Sequence, residues 1–267
     1  MQNITNSKIY LERLAAPLQE KLKIIKYFPE NFKNGLDIGC ADGVVTQELA
    51  NLFPNANFLG IDINPDFISL AHNRENTNRN LYFRCIYQRE LLAEPQRFDV
   101  VTFISVLHEF FSYGEGISSV LKALADAHEL LNKNGRIIIR DMILNSYTKN
   151  SNLYTTNILT KIKATKYKKQ IPDFEKYHGK LNTIYRINHF LLKYWYLENW
   201  EREAQEHYIP VTHEEYEQIF NLLGLNLLYK ESYLIPFLKN KWVKDFDLNE
   251  EELSPLRSTS IIVGEKV

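Results

Sequence analysis

From Gly35 onward, short apolar segments alternate with stretches that repeat apolar residues at helical spacing. This alternation restricts the fold more than any other feature of the sequence. The apolar segments read LDIG, NFLGIDI, LYFRCIY, FDVVTFISV and GRIIIRDMI, and several are rich in β-branched or aromatic residues. Strands that alternate with helices form a parallel sheet covered by helices on both faces. The sequence therefore predicts an α/β fold built on a mostly parallel sheet.

Helical periodicity marks two further elements. Apolar residues at helical spacing over 7–28 predict an N-terminal pair of helices, with a break at Pro17. A second such stretch over 116–132 predicts a crossover helix. We expect that helix to be closed by Asn134-Gly135, because these residue types tolerate the left-handed conformation that follows a helix.

The strand and helix pattern stops over 144–210, where the sequence is helix-like and rich in tyrosine and tryptophan. It resumes with a helix whose start is indicated by Thr212 and Glu215, which have capping-box spacing, and whose end is indicated by Gly224. Two strand-like segments, LNLLYKESYLI and STSIIVGEKV, follow. We expect four parts: lid helices over 1–30, a ligand-binding core over 31–143, a helical cap over 144–210, and the rest of the core over 211–267, with a second insertion at 234–257.

Composition argues against several classes of protein. A net charge of −1 creates no overall field toward nucleic acid or an anionic membrane. The two cysteines, Cys40 and Cys85, cannot build a disulfide framework and lack metal-ligand spacing. No apolar stretch is long enough to span a bilayer, and the first residues lack a signal-peptide pattern. We expect a cytoplasmic protein that binds no metal and no membrane, with nucleic acid an unlikely partner.

The turn in GLDIGCADGVV lies between a predicted strand and a predicted helix. Gly39, Ala41 and Gly43 are small at the point where the backbone must bend tightly and a ligand could approach. Asp62 ends the next predicted strand, where its carboxylate can accept hydrogen bonds from both hydroxyls of a ribose. The pattern favours a nucleoside. It argues against a dinucleotide, because Ala41 and Val44 stand where G-x-G-x-x-G requires glycine.

The segments LDIGCADG, GIDINPDFISLA, FDVVTFISVLHEF and LADAHELLNKNGRIIIRDMI resemble the class I S-adenosylmethionine-dependent methyltransferases, in order and spacing, over 32–143. The helix and two strands after Val211 resemble the closing part of that family. The resemblance implies a Rossmann-like seven-stranded sheet, mostly parallel with an antiparallel C-terminal hairpin. It also implies S-adenosyl-L-methionine as the cofactor and S-adenosyl-L-homocysteine as the product. The expected reaction is methyl transfer to a hydroxyl or amine of a small-molecule acceptor, with secondary metabolites among the candidates.

By this resemblance, a set of residues at the carboxyl ends of the strands contacts the cofactor. They are Asp37, Gly39 and Cys40 beside the methionine part, Asp62 at the ribose, Ile63 and Gln88 at the adenine, and Ser105 and Val106 below the sulfonium. The family often has an acidic residue after the third strand, where this sequence reads Ile86-Tyr87-Gln88, so either the Gln88 carbonyl or the backbone contacts the adenine amino group. Asp62 as a turn cap and Cys40 as a packed small residue remain the alternatives.

The run VLHEF places His108 and Glu109 after the fourth predicted strand, where the family holds the methyl group. A histidine can act as a base near neutral pH, and a neighbouring carboxylate can orient its ring. The run is similar to the His-acidic-aromatic run of plant small-molecule O-methyltransferases, which implies His108 as the base. The alternative is that His108 begins a helix and packs against the cofactor loop.

Acceptor-binding residues are sought around the same edge. Arg140 and Asp141 end the fifth predicted strand and could orient a charged acceptor, or form an ion pair that closes the strand. Tyr10 and Arg13 could belong to a lid, although core packing is an equal alternative for Tyr10.

The cap over 144–210 is expected to shape the acceptor pocket, its aromatic residues forming either the pocket wall or the cap's own core. The lysines of KIKATKYKK suit phosphates, so an RNA or tRNA methyltransferase is one alternative function; a solvated face is the plainer interpretation. A non-catalytic cofactor-binding protein is another. The sequence leaves the oligomeric state open, including a homodimer.

Overall fold

The structure is a computed structural model that describes residues 18–75 and 79–267. Its centre is a seven-stranded sheet with the order β3-β2-β1-β4-β5-β7-β6. The strands β1 to β5 are parallel, whereas β7 runs antiparallel to both β5 and β6. This topology confirms the predicted sheet and its antiparallel C-terminal hairpin. The strands are β1 Asn34–Ile38, β2 Asn57–Asp62, β3 Leu81–Cys85, β4 Phe98–Ile104, β5 Leu131–Asp141, β6 Leu225–Tyr233 and β7 Thr259–Lys266.

The central strands contain continuous apolar runs because helices cover both faces of the sheet. In β5, Ile137 and Ile139 pack into the core on one face, and Ile138 packs into the core on the other. All three are fully buried. The two-residue alternation of side chains thus divides one apolar run between two cores.

Helices of two kinds surround the sheet. The α-helices are α1 Leu18–Lys21, α2 Val44–Leu52, α3 Pro65–Glu75, α4 Leu107–Tyr113, α5 Ile117–Leu130, α6 Thr155–Lys163, α7 Ile171–His178, α8 Ile184–Lys193, α9 Trp200–Gln205, α10 His213–Leu222, α11 Pro236–Phe246 and α12 Glu250–Leu253. The 3₁₀ helices are Leu22–Tyr27, Gln88–Ala93, Ser146–Lys149, Lys166–Gln170 and Leu197–Asn199. Across the described parts of the chain, none of the helices is both long and apolar enough to cross a membrane.

Two helix boundaries test the sequence analysis. The capping box of α10 is confirmed, since Thr212 Oγ1 accepts from the Glu215 amide at 3.3 Å and Glu215 Oε2 accepts from the Thr212 amide at 2.7 Å. The end of α5 was predicted wrongly at Asn134-Gly135. The helix ends at Leu130, because Leu131 already pairs with β4. Lys266 replaces the expected cap and donates to the backbone oxygens of His128 and Leu131.

The predicted N-terminal helices are described only in their second half. That half consists of α1 and the 3₁₀ helix Leu22–Tyr27, which packs into one of the two cores of the sheet through Leu22 and Ile24. Tyr10 and Arg13 lie outside the described residues, so their place in a lid stays a prediction.

The two insertions form one helical cap with a shared hydrophobic core. Phe174, Phe190 and Tyr194 of the first insertion pack in the same cluster as Trp242 and Phe246 of the second. Polar contacts join the two as well, since the Trp242 indole donates to the Leu191 carbonyl at 3.0 Å. We call residues 144–210 and 234–257 together the cap. The four-part division of the chain itself stays a prediction.

Candidate active site

A cleft opens at the carboxyl edge of the sheet, beside β1 and β4. This is a switch point of the sheet, since β2 follows β1 on one side and β4 lies on the other, and ligands of open α/β sheets bind at such points. The described residues enclose about 1980 Å³ there. Every residue predicted to bind the cofactor lines this one cleft: Asp37, Gly39, Cys40, Asp62, Ile63, Gln88, Ser105 and Val106.

The turn after β1 requires glycine at two positions. Gly39 has φ +75°, and a Cβ on it would lie 2.4 Å from a methyl carbon of Val106. Gly43 has φ +78°, and its Cβ would lie 2.3 Å from the Phe83 ring. Ala41 between them is also left-handed, with φ 49°. The small residues therefore let the turn pack against the end of β4 and open α2 toward the cleft.

Asp37, in β1 just before this turn, stabilises it through hydrogen bonds. Its carboxylate is 3% exposed and accepts from the hydroxyls of Thr46 at 2.6 Å and Thr102 at 2.8 Å. Burial raises the pKa of the carboxyl, and the two hydroxyls oppose that rise.

Lys21 lines the cleft beside Asp37 and was missed in the sequence analysis. Its side chain is buried, and burial together with the charge of Arg140 lowers its pKa to about 8, against the pull of Asp37 and Asp42. The sequence offered no motif for it, because an isolated lysine in an N-terminal helix usually faces solvent.

Asp62 lies at the end of β2 with both carboxylate oxygens engaged by backbone. Oδ2 accepts from the Ala41 amide at 3.0 Å and Oδ1 from the Asn64 amide at 2.9 Å. Each oxygen has a second lone pair, so the carboxylate can still accept from two hydroxyls. Burial raises the pKa of Asp62, and the backbone donors oppose this effect. The turn-capping and ribose-binding roles are therefore compatible.

The part of the cleft where the adenine is expected combines apolar and amide groups. Ile63 and Tyr87 are exposed along the cleft. Gln88 is buried, and its Nε2 donates to Asp126 Oδ2 of α5 at 3.3 Å. Asp126 thus fixes the amide so that its donor is used within the protein and its carbonyl is available as an acceptor. Asp126 was not predicted, because it reaches the site from a helix that carries no motif.

His108 lies between two carboxylates. Its Nδ1 is 2.8 Å from Asp141 Oδ1 and its Nε2 is 3.2 Å from Glu206 Oε1. Burial would lower the pKa of the imidazole, but Asp141 and then Glu206 outweigh it and raise the pKa well above its ordinary value. The ring is therefore a buried imidazolium, and it does not line the cleft.

Glu206, which belongs to the cap, contacts three side chains. Besides His108, it accepts from the Tyr113 hydroxyl at 2.7 Å and from Arg202 Nη2 at 3.1 Å. Burial raises the pKa of the carboxyl, yet His108 and Arg202 overcome this and lower it to about 2. This cluster joins α4 of the core to α9 of the cap.

Glu109, the neighbour of His108, does line the cleft. Its carboxylate is 3.8 Å from Arg202 Nη2. Tyr113 and Arg202 line the same end, as do the cap residues Asn199 and Gln205. Of the two residues predicted to be catalytic, the structure therefore brings only Glu109 to the cleft surface.

Arg140 and Asp141 lie behind the cleft wall. Arg140 donates to Ser105 Oγ at 3.2 Å and to the Glu20 carbonyl at 3.3 Å, and burial lowers its pKa. Asp141 is bound to His108. Neither lines the cleft, so their predicted contact with the acceptor has no geometric support.

The remaining predicted groups of the cap also lie away from the cleft. The cap's aromatic residues Tyr185, Tyr194, Trp195, Trp200 and Tyr208 pack in or against the core of the cap. Neither they nor Tyr196 line the cleft. In the basic segment, Lys161 pairs with Glu252 at 2.7 Å. The other lysines, Lys163, Lys166, Lys168 and Lys169, are exposed.

One group in the described part has the composition of a metal site. Potential ligand atoms of His108, Glu109 and Glu206 lie within 4.8 Å of one another. Two cations already balance the charge of the two carboxylates, since His108 is protonated and the Arg202 guanidinium contacts both Glu109 and Glu206. A divalent ion would have to displace this charge.

Behind Glu206, the cap buries a second polar cluster. Lys193 is fully buried and donates to the backbone oxygens of Glu203 and Glu206 at the end of α9. His178 Nε2 bonds the Ala204 carbonyl at 2.7 Å, and the rings of His178 and His207 pack on His189. Burial and the neighbouring Lys193 lower the pKa of all three histidines.

Comparison with known proteins agrees with this geometry. Residues 36–137 match the methyltransferase domain family. The chain is 38% identical over 66 residues to malonyl-[acyl-carrier protein] O-methyltransferase of Bacillus anthracis, which is 25% of this chain and 24% of that protein. The protein of the same name from Bacillus cereus is 29% identical over 89 residues, which is 33% of this chain and 31% of that protein. The matches thus span about a quarter to a third of the relatives' length.

Solved structures extend the likeness to the whole fold. A methyltransferase of Archaeoglobus fulgidus described as SAM-dependent has a TM-score of 0.58 at 14% identity, covering 97% of this chain and 99% of that one. The N-methyltransferase NodS of Bradyrhizobium japonicum WM9, in complex with S-adenosyl-L-homocysteine, has a TM-score of 0.52 at 14% identity, covering 95% and 90%. Residues 36–137 therefore match a methyltransferase domain, and the chain as a whole has the fold of these two methyltransferases, the fold that its motifs predicted.

Proposed function

We propose that this chain is an S-adenosylmethionine-dependent methyltransferase that methylates a small-molecule acceptor at a hydroxyl or an amine. One observation carries the proposal: every residue expected at the cofactor lines a single cleft, and the far end of that cleft is formed by polar side chains of α4 and the cap. That far end is the natural place for an acceptor.

The residues of the cleft fit the parts of the cofactor. Asp62 can accept from the ribose hydroxyls, and the carbonyl of Gln88 can accept from the adenine amino group. Lys21 is a buried cation that lines the cleft, and it can bind the carboxylate of the methionine part. Gly39, whose missing Cβ lets the turn pack on Val106, lines the cleft where that part is expected.

When bound, the cofactor supplies a methyl group on a positively charged sulfur. The protein must align the acceptor in line with that methyl and remove a proton from the acceptor. Glu109, one of the carboxylates that line the cleft, can take this proton, and Arg202 lies 3.8 Å from it. The cap residues around Arg202 exclude water from the acceptor.

In this proposal His108 positions other groups and is not the base. Its two ring nitrogens already face Asp141 and Glu206, so no lone pair is available to a substrate. The role differs from the one implied by the plant O-methyltransferase resemblance. The imidazolium instead links Asp141, at the end of β5, to Glu206 of the cap, next to the first turn of α4.

Calorimetric titration with S-adenosyl-L-homocysteine, S-adenosyl-L-methionine and NADH tests the cofactor half. We expect saturable one-to-one binding of both adenosyl ligands and none of NADH. Binding of NADH alone would overturn the proposal.

Activity is then followed as transfer of a tritiated methyl group to candidate acceptors. We expect His108→Gln to lose stability while retaining measurable kcat, and Glu109→Gln to lose kcat with unchanged cofactor affinity. The reverse pattern would restore His108 as the base.

A further inference from the structure

We propose that Asp126 holds the amide of Gln88 in the one orientation that recognises the amino group of adenine, and so makes the cleft selective for adenosyl over inosyl ligands. The inference rests on the proposed function, since it takes the cleft to bind a nucleoside whose ribose contacts Asp62. Asp126 is a positioning residue in this account, because it acts through Gln88 and not on the base itself.

Gln88 lies close to the end of the strand that carries Asp62. The amide of Ile86 donates to the carbonyl of Asp62 at 3.1 Å, so the chain leaves β3 directly beside Asp62. Ile86, Tyr87 and Gln88 then line the cleft. A nucleoside whose ribose is bound by Asp62 can therefore place its base against these three residues.

The two polar atoms of the Gln88 amide have different surroundings. Nε2 donates to Asp126 Oδ2 at 3.3 Å. Within residues 18–75 and 79–267, Oε1 accepts no hydrogen bond, and it is not shielded from solvent. Since Gln88 is 8% exposed and lines the cleft, a ligand in the cleft can reach this oxygen.

A carboxylate distinguishes the two ends of an amide because it only accepts hydrogen bonds. Turning the Gln88 amide by half a turn would replace the contact of Nε2 with Asp126 by two oxygens that face each other. Burial raises the pKa of Asp126, and the charge of Arg89 and the amide of Gln88 oppose that rise. Both opposing groups favour the carboxylate form, which keeps Nε2 turned toward α5.

Packing between two helices holds the pair together. Gln88 is the first residue of the 3₁₀ helix Gln88–Ala93. Leu91 of this helix and Ala127 of α5 are buried in the same hydrophobic core. Asp126 directly precedes Ala127, so the separation of the two side chains is set by the packing of their helices as well as by their own contact.

A carbonyl in this position favours a base with a donor opposite it. Adenine has an amino group at the place where hypoxanthine has a carbonyl oxygen, and the N–H of hypoxanthine on that edge lies one ring position away. A site that hydrogen-bonds an N–H discriminates strongly against an analogue that lacks it. We expect the native protein to bind S-adenosyl-L-homocysteine about tenfold more tightly than S-inosyl-L-homocysteine, or more.

Calorimetric titration of the full chain with these two ligands tests the role of Asp126. Asp126→Asn keeps the shape of the side chain but offers both a donor and an acceptor, so both orientations of the Gln88 amide become available. Affinity for the adenosyl ligand should fall about twofold, because about half of the molecules then have the amide turned. Affinity for the inosyl ligand should rise about fivefold for the same reason. A gain in affinity cannot come from loss of folding.

Two further variants separate Asp126 from its surroundings. Gln88→Leu should bind S-adenosyl-L-homocysteine more weakly and lose the preference between the two ligands, because it removes the carbonyl that recognises the base. Glu129→Gln also removes a carboxylate from α5, at an exposed position outside the cleft. This control should change neither affinity.

The outcomes separate this inference from the proposed function. If neither ligand binds the native protein, the proposed function fails and the inference fails with it. If both ligands bind equally well, or Asp126→Asn keeps the full preference, the positioning role of Asp126 is wrong and the cofactor proposal stands. A preference that survives Gln88→Leu but not Asp126→Asn would put the base in contact with Asp126 itself, which also overturns the positioning role.

Discussion

Replacing Glu206 with glutamine removes one negative charge from the buried cluster that joins α4 to the cap, while keeping the shape of the side chain. In the native protein Glu206 is 2% exposed and faces His108 at 3.2 Å and Arg202 at 3.1 Å. The variant leaves two cations beside Asp141 and the partly buried Glu109. Removing one partner of a buried ion pair costs about 3–5 kcal/mol. We expect about 3 kcal/mol, at the low end of that range, because His108 can release its proton and glutamine can still accept from Tyr113.

The pH window of this effect follows from the signs of the two pKa shifts. The pKa of Glu206 is lowered to about 2 in the folded protein, so its stabilisation is fully present above its unfolded pKa and is lost as the pH falls from there through the folded pKa. The pKa of His108 is raised, so its stabilisation is complete below its unfolded pKa and disappears as the pH rises through the folded one. Both contributions are present near pH 6, roughly between the unfolded pKa values of the two groups.

Urea unfolding at pH 6 measures the difference in the free energy of unfolding. Glu201→Gln, at an exposed glutamate of α9, the helix that Glu206 directly follows, is the matched control and should change stability by less than about 0.5 kcal/mol. The double variant His108→Gln Glu206→Gln should be less destabilised than the sum of the single variants, because each single variant leaves the other member of the His108–Glu206 pair charged and the double variant removes both charges. A loss within about 0.5 kcal/mol for Glu206→Gln would refute the description of His108 as a clamped imidazolium.

Three further perturbations address the cofactor end and the cap. Asp62→Ala should weaken binding of S-adenosyl-L-homocysteine at least tenfold, about 1.4 kcal/mol; unchanged affinity in calorimetry would discard the ribose contact. Affinity for the same ligand should fall as the pH rises through about 8, where Lys21 loses its proton, and Lys21→Met should abolish that step; a step that persists in the variant belongs to another group. Burial lowers the pKa of His189 below 6.5, so stability is lost as the pH falls below that value, by about 2 kcal/mol at pH 5 for a residue that stays neutral. His189→Gln should flatten this acid limb in urea unfolding, and an unchanged slope would show that His189 is not responsible.

The sheet and the cofactor end of the site were predictable because local sequence determines them. Short apolar runs between helical patterns indicate buried strands, and the turn after β1 needs small residues whatever the rest of the chain does. Gly39 and Asp62 could therefore be located from short segments. The end of α5 could not, because pairing of Leu131 with β4 is a tertiary contact that overrides the helix-closing signal at Asn134-Gly135.

The acceptor end was less predictable for the same reason. Asn199, Arg202 and Glu206 come from an insertion without motifs, and only the folding of the cap brings them to α4. The interpretation of His108 depended on them: a histidine after β4 looks like a base until Glu206 is known to occupy its second nitrogen. Lys21 was missed because burial of an isolated lysine leaves no trace in the sequence.

The core shared by the two insertions bears on how the chain folds. Trp242 and Phe246 pack in a cluster with Phe174 and Phe190, which precede them in the chain by the whole of α10 and β6. During synthesis, the apolar side chains of the first insertion stay exposed to solvent until α11 has been made. We therefore expect the sheet to begin folding before the cap does. We also expect chaperone binding and self-association to involve mainly the first insertion.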